Sequence, residues 1–120
     1  MKKILVVDDE EKIRRLYSNL LETEGFKVFE TSNPIDANEI LKRENIDLVL
    51  LDIRMPEVDG GILYETMQLF HKQTKVVVTS VYSLSEQKQV ISGAASYHDK
   101  SEGNEILLTK IREVLKDGKA

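Results

Sequence analysis

The chain contains no cysteine, so a disulfide framework and a thiolate metal site are both excluded. No apolar run approaches the roughly 20 residues that a membrane-spanning helix requires, and membrane insertion is not expected. The start is basic and then apolar, but Asp8-Asp9-Glu10 ends the apolar stretch too early for a signal peptide. A cytoplasmic protein is the expectation. No glycine-rich phosphate loop follows the first apolar run, Ile4-Leu5-Val6-Val7, which argues against a nucleotide-binding α/β protein. Repeats, low-complexity stretches and linkers are also lacking. Positive charge is in the minority: the net charge of −4 argues against direct, non-specific nucleic-acid binding.

What is present is an ordinary globular composition, 41% apolar and 32% charged over 120 residues. That length suits one domain with a proper core, taken here as residues 1–120. Short apolar runs alternate with helical periodicity, the pattern of a parallel sheet covered on both faces. The runs predict strands at about Lys3-Val7, Phe26-Thr31, Asp47-Leu51, Lys75-Thr79 and Ala94-His98. Between them, Ile13, Leu16, Tyr17, Leu20 and Leu21 stripe a first helix, with Gly25 placed to stop it. Asn33-Pro34 opens a second helix carrying Ala37, Ile40 and Leu41. A loop is expected through Pro56, Gly60 and Gly61, then a helix carrying Leu63, Met67 and Phe70. Ser83-Leu84-Ser85-Glu86 matches a capping box before a short helix that Gly93 closes. Leu107, Ile111, Val114 and Leu115 stripe the last helix.

Two of the apolar runs end in carboxylates. Ile4-Val7 leads into Asp8-Asp9, and Leu48-Leu51 leads into Asp52. Residues that end neighbouring parallel strands emerge on the sheet edge where α/β folds bind ligands. Three carboxylates gathered there repel one another unless a cation lies among them. Lys100, after the fifth predicted strand, can bring a fixed positive charge to the same place. This is the composition of a hard-metal and phosphoryl site. One aspartate before the first helix could be a simple N-cap, but two adjacent ones opposite Asp52 make capping alone an insufficient account. An unperturbed aspartate titrates near about 3.9, so Asp52 is ionised at neutral pH and needs no general base to attack phosphorus. His71 and His98 have no partner histidine or cysteine at ligand spacing, and both read as non-catalytic.

These motifs together resemble the receiver domain of two-component response regulators, of the CheY-like kind. The carriers are Val6-Val7-Asp8-Asp9-Glu10, then Leu51-Asp52-Ile53-Arg54-Met55-Pro56-Glu57-Val58-Asp59-Gly60, then Ser80, Tyr97 and Lys100, in order along the whole chain. The resemblance implies a flavodoxin-like, doubly wound (βα)5 domain with a five-stranded parallel sheet in the order 2-1-3-4-5. It implies that Asp52 accepts a phosphoryl group from a sensor histidine kinase or histidine phosphotransfer protein. It also implies Mg²⁺, or Mn²⁺, held by Asp9, Asp52 and the backbone carbonyl of Arg54, with Asp8 acting through a water. Ser80 and Tyr97 take the positions of the switch hydroxyl and switch aromatic. Output to an effector is expected through the face of the fourth helix, fifth strand and fifth helix. The protein would be no enzyme beyond its own phosphotransfer and autodephosphorylation.

Two positions depart from the family pattern. Ser101 follows Lys100 where proline is usual, so the lysine must be held by another path. Val81 replaces a small residue after Ser80 and narrows the approach to Asp52, with Arg54 and Tyr82 flanking the line of attack by water. Three other readings remain: a receiver within a longer DNA-binding or ATPase-type regulator, a Mg²⁺-dependent phosphatase, and a pseudo-receiver that binds partners unphosphorylated. Asp8-Asp9 is not the Asp-x-Asp pattern of the phosphatases, and the complete acidic triad argues against the pseudo-receiver.

Overall fold

The computed structural model of the chain describes residues 1–53 and 59–117. The elements alternate as the periodicity predicts: β1 (Lys3–Val7), α1 (Glu11–Thr23), β2 (Lys27–Thr31), α2 (Pro34–Arg43), β3 (Leu48–Asp52), α3 (Asp59–Phe70), β4 (Lys75–Ser80), α4 (Leu84–Val90), β5 (Ser96–Asp99) and α5 (Asn104–Asp117). A 3₁₀ turn, Lys100–Glu102, joins β5 to α5. All five strands are parallel, in the order β2-β1-β3-β4-β5. This is the flavodoxin-like arrangement, in which the order of the strands reverses between β1 and β3.

Strand alternation divides the core into two layers. Leu5, Val7, Val49, Leu51, Val76 and Val78 pack against the α2, α3 and α4 side, where Ala37, Leu41, Leu63 and Met67 are buried. Ile4, Val6, Leu48, Leu50 and Val77 face Tyr17 and Leu21 of α1 and Leu107 and Ile111 of α5. The central strands are therefore apolar on both faces, which is why they read as unbroken runs.

Caps set several boundaries. Asn33 accepts from the Asp36 amide at 2.8 Å and Pro34 takes the first helical position of α2. At α4 both halves of the Ser83–Glu86 capping box form. Gly25, just past α1, has φ +94°, a conformation other residues rarely adopt.

Some expectations change. Leu16 is 50% exposed, because the buried stripe of α1 turns towards Tyr17, Ser18 and Leu21. Phe70 is 75% exposed as the last residue of α3, and Tyr64 is buried in the same helix instead. Gly60 and Gly61 lie inside α3 and not in a loop, so placement in the fold overrides their weak helix propensity. α4 ends at Val90, and Gly93, with φ +88°, sits in the turn that follows. β5 begins two residues later than the apolar pattern suggests and runs to Asp99.

Candidate functional site

The register of the sheet assembles the site. Val7 lies beside Leu51, so the residues that follow, Asp8 and Asp52, leave adjacent strands at the same level. Asp52 in turn pairs with Thr79, and Ser80 with Asp99, which places Ser80 and Lys100 on the same edge. Carboxylate oxygens of Asp8, Asp9 and Asp52 all lie within 4.8 Å of one another. Lys100 Nζ stands 3.4 Å from Asp52 Oδ2 and 3.7 Å from Asp8 Oδ2. The ammonium therefore offsets one of the negative charges shared by these two carboxylates, in a largely buried setting where screening is weak.

Asp8 does not cap α1. The N-cap is Glu10, whose side chain makes no capping bond, while Asp8 Oδ1 accepts from the Glu10 amide at 2.9 Å. The Asp8 backbone carbonyl accepts from the Arg14 guanidinium at 2.8 Å, and Arg14 also pairs with Glu30. Asp8 Oδ2 is buried and has no hydrogen-bond partner. A buried carboxylate oxygen that accepts no hydrogen bond and meets only the Lys100 ammonium, beside two further carboxylates, belongs to a donor set suited to a hard divalent cation such as Mg²⁺.

Ser80 is fully buried; its hydroxyl donates to the Ile53 carbonyl at 2.8 Å and accepts from the Tyr82 amide at 3.2 Å. Val81 is 72% exposed and lines, with Glu10, Asp52, Ile53, Tyr82 and Lys100, a cleft of about 380 Å³ that opens onto Asp52. Arg54 lies outside the described residues. Tyr97 is half-buried on the α4 side; its hydroxyl donates to the Ile91 carbonyl at 2.7 Å and accepts from the Ala94 amide at 3.1 Å.

The turn that carries Lys100 shows what serves in the absence of proline. The Ser101 amide and hydroxyl both donate to Asp99 Oδ1, at 2.9 and 2.8 Å. A proline has no amide proton to make the first of these bonds. The Asp99 amide donates to Glu102 Oε1, and Lys110 reaches both Glu102 and the Tyr97 carbonyl. The Ser101 amide and then its hydroxyl hold the Asp99 carboxyl below its usual range. Glu102 is lowered by the Asp99 amide and then by Lys110.

Sequence reasoning missed a group behind the triad. Tyr17 presents its ring to Lys100 Nζ at 5.9 Å from the centroid. Burial raises its hydroxyl above the ordinary tyrosine value, offset in part by a hydrogen-bonding contact with Thr79 and by Lys100. His98 is buried, with Nδ1 at 2.9 Å from Thr79 Oγ1 and Nε2 at 2.9 Å from the Gly103 carbonyl. Burial pushes its imidazole below the ordinary histidine value. His71 lies beyond α3, at the opposite edge of the sheet. The available signal was alternation: Thr79 and His98 share the sheet face of Asp52.

A doubly wound parallel domain with a carboxylate triad and a lysine at the carboxyl ends of its strands defines a class of acceptor domains. Residues 4–112 match the response regulator receiver domain, and the chain belongs to that family. It is 43% identical over 76 residues to the transcriptional regulatory protein SrrA of Staphylococcus aureus; the match covers 63% of this chain and 31% of that protein. The response regulator protein TrrA of Thermotoga maritima, solved in complex with Mg²⁺-BeF, superposes with a TM-score of 0.84 at 32% identity, over 95% of this chain and 99% of that one. TrrA in complex with the histidine kinase ThkA gives a TM-score of 0.84 at 33% identity, over 96% and 99% of the two chains. Receiver domains are phosphoacceptors and not turnover enzymes. Among the described residues no helix is long and apolar enough to cross a membrane.

Proposed function

We propose that Asp52 is the phosphoacceptor of a two-component or phosphorelay system, with a histidine kinase or histidine phosphotransfer protein as donor. The observation that carries this reading is the placement of Lys100 against Asp52 and against the buried Asp8 oxygen that accepts no hydrogen bond. An Asp52 carboxylate oxygen attacks phosphorus as the phosphohistidine N–P bond breaks, and the departing imidazole nitrogen keeps the electron pair. The product is an acyl phosphate, which water later cleaves to inorganic phosphate and the free carboxylate. Asp9 and Asp52 would hold Mg²⁺ or Mn²⁺, with Asp8 acting through a water and the Arg54 carbonyl as a further ligand. The bound cation supplies positive charge that reduces repulsion between nucleophile and phosphoryl oxygens. Lys100 supplies the matching charge from the protein.

Ser80 would leave the Ile53 carbonyl to bond a phosphoryl oxygen, and the Tyr97 ring would respond. The changed surface, made by α4, β5 and α5, would then bind an effector. Val81, Arg54 and Tyr82 would govern access of donor and water to phosphorus. The whole of residues 1–120 would form one receiver domain, in a cytoplasmic setting. A second reading, the receiver of a longer regulator, is favoured by the match to only 31% of SrrA. The reading frame around the coding sequence separates the two.

Incubating the protein with Mg²⁺ and acetyl phosphate or a donor kinase, followed by intact-mass measurement, tests the site. One phosphoryl adduct is expected, and none in Asp52→Asn. An undiminished adduct in that variant places the chemistry on another residue.

A further inference from the structure

Two hydrogen bonds close a short loop around Lys100, and the lysine makes neither of them. His98, two residues before it, reaches over the Lys100–Glu102 turn to the Gly103 carbonyl at 2.9 Å. A carbonyl only accepts, so Nε2 carries the proton. In the neutral ring Nδ1 must then accept, and the Thr79 hydroxyl donates to it at 2.9 Å. Both protons in the chain Thr79–His98–Gly103 thus point one way, from β4 to the start of α5.

The placement of this chain matters for the site. Thr79 is the register partner of Asp52, and Gly103 follows directly on the turn that presents Lys100. The Gly103 carbonyl also accepts the first-turn amide of Leu107, so the tether fixes the start of α5 too. On the other side the His98 carbonyl accepts from buried Gln87 at 2.8 Å. The remaining holds on the turn, among Asp99, Ser101 and Glu102, are exposed and compete with water. The His98 bond to Thr79 is buried, and so is His98 itself.

We propose that His98, tethered between Thr79 and Gly103, is the positioning residue that holds Lys100 against Asp52. The proposal rests on the reading of Lys100 as the charge partner of a phosphoacceptor. It predicts a signature that general loosening would not give. Releasing Lys100 removes a positive charge from two carboxylates, so Mg²⁺ should bind more tightly while phosphorylation slows.

The experiment measures Mg²⁺ affinity and the rate of phosphorylation by acetyl phosphate in His98→Leu, His98→Gln, Lys100→Ala and the Leu/Ala double variant. His98→Leu should bind Mg²⁺ about two- to tenfold more tightly, from the Coulomb energy of one partly screened charge, and be phosphorylated at least several-fold more slowly. His98→Gln, whose amide can both donate and accept, should recover much of both. In Lys100→Ala, adding His98→Leu should change neither further. Unchanged values in a folded His98→Leu, or effects that add to those of Lys100→Ala, overturn the positioning role. Should His98→Leu not fold, Thr79→Val removes the donor to Nδ1 and must shift both quantities in the same directions, or the role is refuted. If Lys100→Ala itself is phosphorylated at the normal rate, the reading of the site fails first, and the positioning role falls with it.

Discussion

Among single side chains, the two adjacent aspartates have unequal tasks. One oxygen of Asp8 is committed to the Glu10 amide, and Lys100 already faces the other at 3.7 Å. Asp9 is the exposed member of the three, with a carboxylate oxygen within 4.8 Å of those of Asp8 and Asp52. Asp9→Ala should therefore weaken Mg²⁺ binding more than Asp8→Ala, as a titration of both variants will show; equal, wild-type affinity in the two would mean the metal is held elsewhere. Val81 is an exposed branched residue at the rim of the Asp52 cleft. Val81→Ala should raise the rate of acetyl phosphate labelling a few-fold with Mg²⁺ affinity intact, and an unchanged rate would show the rim leaves access free. The triad and Lys100 were legible in the sequence because strand ends are predictable from apolar runs, and charge stands out at their ends. Tyr17, Thr79 and His98 were not, since each is an unremarkable core or strand residue until the register puts Thr79 beside both Asp52 and His98.

Among elements, caps and stripes were read well where local chemistry decides. Asn33-Pro34 and the Ser83–Glu86 box bond as their spacing requires. Leu16 and Phe70 were misplaced because periodicity gives a face but not its width, nor where a helix outruns the layer beneath it. Gly60 and Gly61 misled in the opposite sense, their turn chemistry yielding to α3. The short α4 shows how one side chain joins elements. Gln87 is fully buried, and its Nε2 donates at 2.8 Å to the carbonyls of both Tyr82 and His98. It thus links α4 to the loop after β4 and to β5. Gln87→Leu would strip two carbonyls of their donor and should cost about 1–3 kcal/mol of stability. Urea unfolding of the variant measures it, and a loss below about 0.5 kcal/mol would show that water replaces the amide.

For the whole molecule, the unbroken apolar runs made a parallel sheet legible and the resemblance its strand order, whereas the polar chain behind the site came only with three-dimensional register. That chain gives the fold a dependence on pH. His98 is buried and its imidazole lies below the ordinary value of 6.5, chiefly through desolvation. The Gly103 carbonyl, Glu102 and Asp99 pull it upward, and Lys110 opposes them, without overcoming burial. The unfolded chain therefore takes up a proton at a higher pH than the folded one. Where the unfolded state binds more protons, stability rises with pH. Above about 6.5 both states carry a neutral ring and His98 adds no slope. As pH falls below that, the unfolded state is favoured increasingly, until the folded pKa is passed and the loss is complete. Asp99 and Glu102 also have folded values below their ordinary ones, so their share is lost at lower pH still. Urea midpoints measured from pH 8 to pH 5 should fall for the protein below about 6.5. In His98→Gln, with no ring to titrate, the same interval should be flatter. Identical slopes in the two proteins would mean that the buried imidazole takes its proton as readily folded as unfolded.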